Sequence, residues 1–159
     1  MKAFLTVLFA AAVGAAPAHA EPASTSPLLG RWEVDVAKLP TPPEQRPKSV
    51  SITYSDVGGG KWRTHVEVVL PDGKAVQAIS TYAPDGTATP VKGNLEADMA
   101  ATRLPAPGVM VTALALKGVP GSMRTYTVSP DGQAMTETVV YFTSDGTPAM
   151  RTNLFHRTR

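Results

Sequence analysis

Residues 49–70 read SVSITYSDVGGGKWRTHVEVVL, and the pattern in this stretch decides how the remainder of the chain is understood. Val50, Ile52 and Tyr54 alternate with Ser49, Ser51, Thr53 and Ser55, the two-residue period of a strand with one apolar and one wet face. Gly58, Gly59 and Gly60 interrupt the alternation, which then resumes with Trp62, Val66 and Val68 opposed to Lys61, Arg63, His65 and Glu67. Two alternating segments on either side of a glycine turn predict an antiparallel hairpin. Because a strand follows the three glycines, they cradle no phosphate; that use of glycine needs a helix N-terminus after the loop.

Working outward, the same punctuation recurs. Asp-Gly pairs stand at Asp72 and Gly73, Asp85 and Gly86, Asp131 and Gly132, and Asp145 and Gly146, three of them preceded by proline. Proline presets φ for a type I turn and glycine accepts the left-handed conformation that closes a short hairpin, so four such turns are expected. Further breaks fall at Gly93 and Asn94, at residues 105–108 and at residues 118–121. The segments between breaks, 74–83, 109–117, 122–129, 134–143 and 148–157, are rich in β-branched and aromatic side chains. Residues 40–47 hold Pro40, Pro42, Pro43 and Pro47 and predict an extended crossing loop, since proline supplies no N–H to a central strand or helix interior. No internal helix is indicated. The expectation is an all-β domain: an antiparallel up-and-down meander of eight to ten strands that closes into a barrel to remove its edges.

The ends bound the compartment. Met1 and Lys2, an apolar run from Ala3 to Val13, then Pro17 and the tripeptide Ala18, His19, Ala20 predict a cleavable secretory leader over residues 1–20, cut after Ala20. A membrane span needs roughly 18 continuous apolar residues, which the interrupted run does not supply, so no stable membrane insertion of the mature chain is expected. Residues 21–27 are polar and proline-bearing and read as a disordered arm, which leaves 28–159 as the folded domain. The absence of cysteine excludes disulfides, thiolate metal sites and a cysteine lipid anchor. Loss of Lys2 with the leader lowers the net charge from +2 to +1, too little to draw nucleic acid. The expected location is periplasmic or secreted.

At the predicted first strand, Leu29, Gly30, Arg31, Trp32 and Glu33 resemble the Gly-x-Trp opening of the lipocalins and fatty-acid-binding proteins. Residues 47–60 and the run Pro90, Val91, Lys92, Gly93 and Asn94 are similar to a group of exported bacterial lipocalin-like proteins without an established activity. The resemblance implies a lipocalin-like barrel whose Trp32 plugs the closed end, with Arg157 on the last strand packed across the indole and Gly30 completing the closure. The chain departs from the family in two respects. It has no second signature around a Thr-Asp-Tyr run, and the proline loop stands where a lid helix pair would be.

Candidate ligand-lining residues are the larger side chains Tyr54, Trp62, Tyr82, Met110, Leu114, Tyr126 and Tyr141, which either border a cavity or simply fill the core. Arg124 joins them because it shares a strand face with Tyr126, a pair suited to a buried carboxylate. The resembled fatty-acid-binding proteins place such a pair on the terminal strand, and a solvated arginine beside an ordinary strand tyrosine is the preferred reading. His65 and Glu67 also share a face, but Lys61 and Arg63 lie on it too, the signature of a solvated row. His156 has no companions at metal-ligand spacing. No catalytic motif, cofactor loop or metal set emerges, so the expected role is not enzymatic: a carrier of a small apolar or amphipathic ligand, or alternatively a filled barrel serving as a protein-interaction or envelope-structural module.

Overall fold

The computed structural model describes residues 25–93 and 96–158. The leader and its cleavage position lie outside the described residues. Ten antiparallel strands follow one another: β1 (Gly30–Val34), β2 (Ser49–Gly58), β3 (Lys61–Val69), β4 (Ala75–Tyr82), β5 (Asp85–Pro90), β6 (Met99–Ala106), β7 (Val109–Leu116), β8 (Val119–Val128), β9 (Ala134–Phe142) and β10 (Pro148–Thr158). Each pairs with its sequence neighbour, and β1 also pairs with β10, so the sheet runs β4-β3-β2-β1-β10-β9-β8-β7-β6-β5. First meets last, and the meander becomes a nearly closed barrel.

The ring is left incompletely stitched between β4 and β5. One backbone bridge joins them, with Ile79 N donating to Lys92 O and Lys92 N donating to Ile79 O, both at 2.8 Å. The Ser80 hydroxyl adds a side-chain stitch by donating to Pro90 O at 3.0 Å. The sequence places a hairpin at Asp85 and Gly86, and here the structure differs. Both residues open β5, and the register against β6 shifts between Asp85 and Ala88. The bulge turns the chain toward β6 and away from β4. The other three Asp-Gly pairs do close hairpins, with Asp72, Asp131 and Asp145 each accepting the backbone N–H two residues on. At the opening stretch, Gly59 and Gly60 form a two-residue turn with φ of 62° and 70°, values an L side chain tolerates poorly.

Two breaks are shorter than the sequence suggests. Pro105 falls inside β6, while Pro120 and Gly121 fall inside β8. Register shifts between Arg103 and Ala106 and between Ala113 and Ala115 absorb these residues without ending the strands. The loop over residues 35–48 is not wholly extended, since it carries two short 3₁₀ turns, Val36–Lys38 and Pro43–Gln45. Proline is tolerated in the second because it stands in the first turn, where no intrahelical donor is required.

At the closed end Trp32 is fully buried, its indole N–H donating to Leu28 O at 2.8 Å. Arg157 places its guanidinium carbon 4.1 Å from the centre of that ring. Its three nitrogens donate to Gly132 O, Leu29 O and Pro27 O at 2.7, 2.7 and 2.5 Å. Pro27, at the end of the segment read as a free arm, is thereby fixed to the barrel base. Gly30 has φ of 120°, and a methyl group on it would stand 2.5 Å from Arg157 Nη1, so the guanidinium passes where only glycine leaves room.

Replacing Arg157 with Ala removes the ring contact and three carbonyl partners and is expected to lower unfolding stability by about 2–4 kcal/mol in urea titration. Arg157→Lys, which keeps the charge without the planar fork, should lose roughly half as much. An unchanged midpoint for both variants would remove the seal from the account of stability.

Candidate ligand-binding site

Within the barrel, inward positions alternate along each strand and enclose a cavity of about 430 Å³. Its volume lies in the ~300–1,000 Å³ range of small-molecule sites, so the barrel is not filled by its own side chains. The floor is aromatic. Tyr54 and Tyr126 meet edge to face at 6.1 Å, Tyr126 and Phe155 likewise at 6.4 Å, and Tyr82 donates to Met110 Sδ at 3.7 Å. Val50, Ile52, Val66, Val68, Ala78 and Leu114 supply apolar walls. At the other end the 35–48 loop contributes Leu39, Pro40 and Thr41, and the β5–β6 connection contributes Val91, Glu96 and Ala97.

One wall is polar. Tyr126 on β8, Glu137 on β9 and Asn153 on β10 are register partners, so their side chains lie in a row across three neighbouring strands. Glu137 is 2% exposed, and a carboxylate so placed needs donors to offset its lost hydration. It has three. Tyr126 Oη donates to Oε1 at 2.7 Å, Arg124 Nη1 to Oε1 at 3.2 Å and Asn153 Nδ2 to Oε2 at 2.6 Å. Arg124 also donates to Glu96 Oε1 at 2.5 Å and to Ser122 Oγ at 3.3 Å. Its side chain is only 13% exposed.

The preferred sequence reading of Arg124 as a solvated arginine is therefore corrected. Paired alternation put it on the same face as Tyr126, and that face is the interior. Burial works against the Arg124 charge, but Tyr126, Glu137 and Glu96 more than compensate and hold it protonated beyond its ordinary range. Burial and then Glu137 push the Tyr126 phenol well up. Burial also raises Tyr54, with Tyr126 and Tyr82 adding to the effect, and raises Tyr82 against the opposing hydrogen bond with Thr64.

Of the eight candidate lining residues, Tyr54, Tyr82, Met110, Leu114, Arg124 and Tyr126 border the cavity. Trp62 does not; it sits beside the β2–β3 hairpin at the closed end and is buried in the core with Trp32 and Met135. Tyr141 lies at the rim, near the end of β9, where it carries the Arg151 guanidinium 5.8 Å from its ring centre and borders a separate shallow recess. Glu137 and Asn153 were missed. The signal was present in the alternation of Met135, Glu137 and Val139, where two buried apolar neighbours place the glutamate on the inner face.

His65 and Glu67 are not lining residues: the imidazole meets Gln77 Oε1 at 2.9 Å on an exposed position, and Glu67 approaches Arg31 at 3.9 Å. His156 faces Glu33 at 3.9 Å. Among the described residues no cluster of three or more potential metal ligands occurs, and no helix is long and apolar enough to cross a membrane. In comparison with known proteins, no family model matches the chain and no curated protein matches it.

The buried phenols make stability fall at high pH. An unfolded tyrosine loses its proton near 10.0, whereas Tyr54, Tyr82 and Tyr126 keep theirs to higher pH when folded. Their contribution is complete below pH 10.0 and is lost progressively as the pH climbs past it. The urea midpoint should hold steady to about pH 9 and decline by about pH 11, and Tyr54→Phe should flatten that decline. A midpoint independent of alkaline pH would overturn this assignment.

Proposed function

We propose that this chain is an exported lipocalin-like carrier that holds one small, mostly apolar molecule inside its barrel and does not transform it. The carrying observation is the enclosed cavity of about 430 Å³, apolar on most walls with a single polar wall. Burial of apolar surface supplies affinity in such a site, while a few fixed polar groups orient the ligand. The Gly30 and Trp32 opening and the Arg157 seal support the lipocalin-like assignment, and the leader-like residues 1–20 support delivery to the periplasm or beyond.

Ala100 borders the cavity from β6 and is almost fully buried, so Ala100→Phe projects a ring into the open space. The variant should bind an uncharged apolar dye such as Nile red at least about tenfold more weakly than the parent, with a melting temperature shifted by only a few degrees. Equal dye affinity in a folded Ala100→Phe protein would contradict the carrier reading. Native mass spectrometry of protein purified from its own envelope, before and after organic extraction, identifies the cargo.

A second reading, a protein-interaction module, is favoured by an apolar row on the outer face. Met123, Val140 and Met150 are register partners across β8, β9 and β10. Met150 is 71% exposed and Phe142 66%. Single exposed apolar residues are ordinary, but a contiguous row suits a docking contact. Met150→Lys separates the two readings: it should leave Nile red affinity unchanged, and any partner crosslinked to the parent that the variant fails to capture belongs to this face.

A further inference from the structure

The charges around the cavity constrain what kind of polar group a ligand can carry. Two described cations border the space. Arg124 is already engaged by two carboxylates, Glu137 and Glu96, and by Ser122. Arg151 is exposed at the rim and lies over Tyr141. A ligand carboxylate entering the polar wall would thus meet Glu137 and Glu96 as like charges. To reach Arg124 it would have to displace Glu137, leaving a buried carboxylate without its cationic partner.

Asn153 offers the opposite opportunity. A carboxylate only accepts hydrogen bonds, so the 2.6 Å contact with Glu137 Oε2 fixes the asparagine amide with Nδ2 toward the glutamate. Its other atom, Oδ1, is buried and has no hydrogen-bond partner among the described residues. The residue is 9% exposed and borders the cavity. A buried acceptor without a donor costs free energy, and a ligand donor removes that cost. Nearby hydroxyls are otherwise committed: Thr102 and Thr112 pair with one another at 3.1 Å, and Ser80 closes the β4–β5 gap.

We propose that the cavity selects a neutral ligand whose polar group is a hydrogen-bond donor, an alcohol or primary amide on an apolar body, received by Asn153 Oδ1, and that it discriminates against carboxylates. This inference rests on the carrier reading above. It makes Asn153 a specificity-determining residue, held in orientation by Glu137, which is in turn held by Tyr126 and Arg124.

Displacement of Nile red from the purified protein at about pH 8, where a fatty acid is ionised, tests both layers. Dodecanol and dodecanamide should displace the dye at concentrations at least about tenfold below those needed for dodecanoate. Dodecyl methyl ether, which keeps the oxygen but has no donor, should fall well behind dodecanol; this separates hydrogen bonding from simple apolarity. Asn153→Leu should weaken dodecanol about tenfold while leaving dye affinity unchanged. Where that variant does not fold, the alcohol, ether and acid comparison on the parent protein still decides. Dodecanoate or the ether displacing as well as dodecanol, while the dye still binds, overturns the inference and leaves the carrier reading standing. A folded Asn153→Leu with unchanged dodecanol affinity overturns the role of Asn153. A protein that binds no dye overturns the carrier reading and this inference together.

Discussion

The stacking of Arg157 on Trp32 is the interaction on which the architecture depends. It gathers three stretches of chain that are far apart in sequence, because the guanidinium is received by carbonyls of Pro27, of Leu29 and of Gly132. Those stretches are the entry to β1, β1 itself and the β8–β9 turn. With them joined, β1 lies between β2 and β10, and the two ends of the meander become neighbours. Arginine suits this position better than lysine, since a planar fork can satisfy three acceptors while its face rests on an indole. The barrel base is a hydrogen-bonded knot as well as an apolar plug.

Above that base the interior is divided by chemistry. Aromatic and aliphatic side chains make the floor and most walls, where area removed from water supplies the stabilisation. The β8–β10 wall instead buries an ion pair, which is tolerated because each oxygen of Glu137 has a donor and because Arg124 is engaged at both ends. Such a network contributes little net stability compared with an apolar replacement. What it does provide is a fixed polar surface facing a cavity, with its charges already neutralised from within.

Much of this was legible in the sequence, and what was not has a physical reason in each case. Alternation in residues 49–55 and the glycine turn specify β2, β3 and their pairing, because side-chain period and turn chemistry are local properties. The Asp-Gly pairs at 72, 131 and 145 behave as their local chemistry dictates. The pair at 85 does not, because whether a turn returns the chain to its partner or sends it onward depends on the next strand. Arg124 was misjudged for a related reason. Which face of a strand is wet is decided by the closed barrel, and β8 carries polar residues on both faces. Glu137 was overlooked although Met135 and Val139 flank it at the buried period. Trp62 and Tyr141 were counted as cavity residues on size alone, whereas their height along the barrel places one in the base and the other at the rim.

The incomplete stitching between β4 and β5 has a bearing on how the protein behaves in company. A sheet with loose borders offers rows of unused amides to any passing strand, and that is a common route to association. Here the two loose borders belong to the same ring and confront each other across a narrow slit, bridged at Ile79 and Lys92 and by Ser80. Gly93 lets the chain press close enough to keep that slit shut, for a methyl group on it would lie 2.0 Å from the Gln77 carbonyl oxygen. A stranger's strand finds both borders already occupied by one another, so the wall can yield along one line without becoming adhesive.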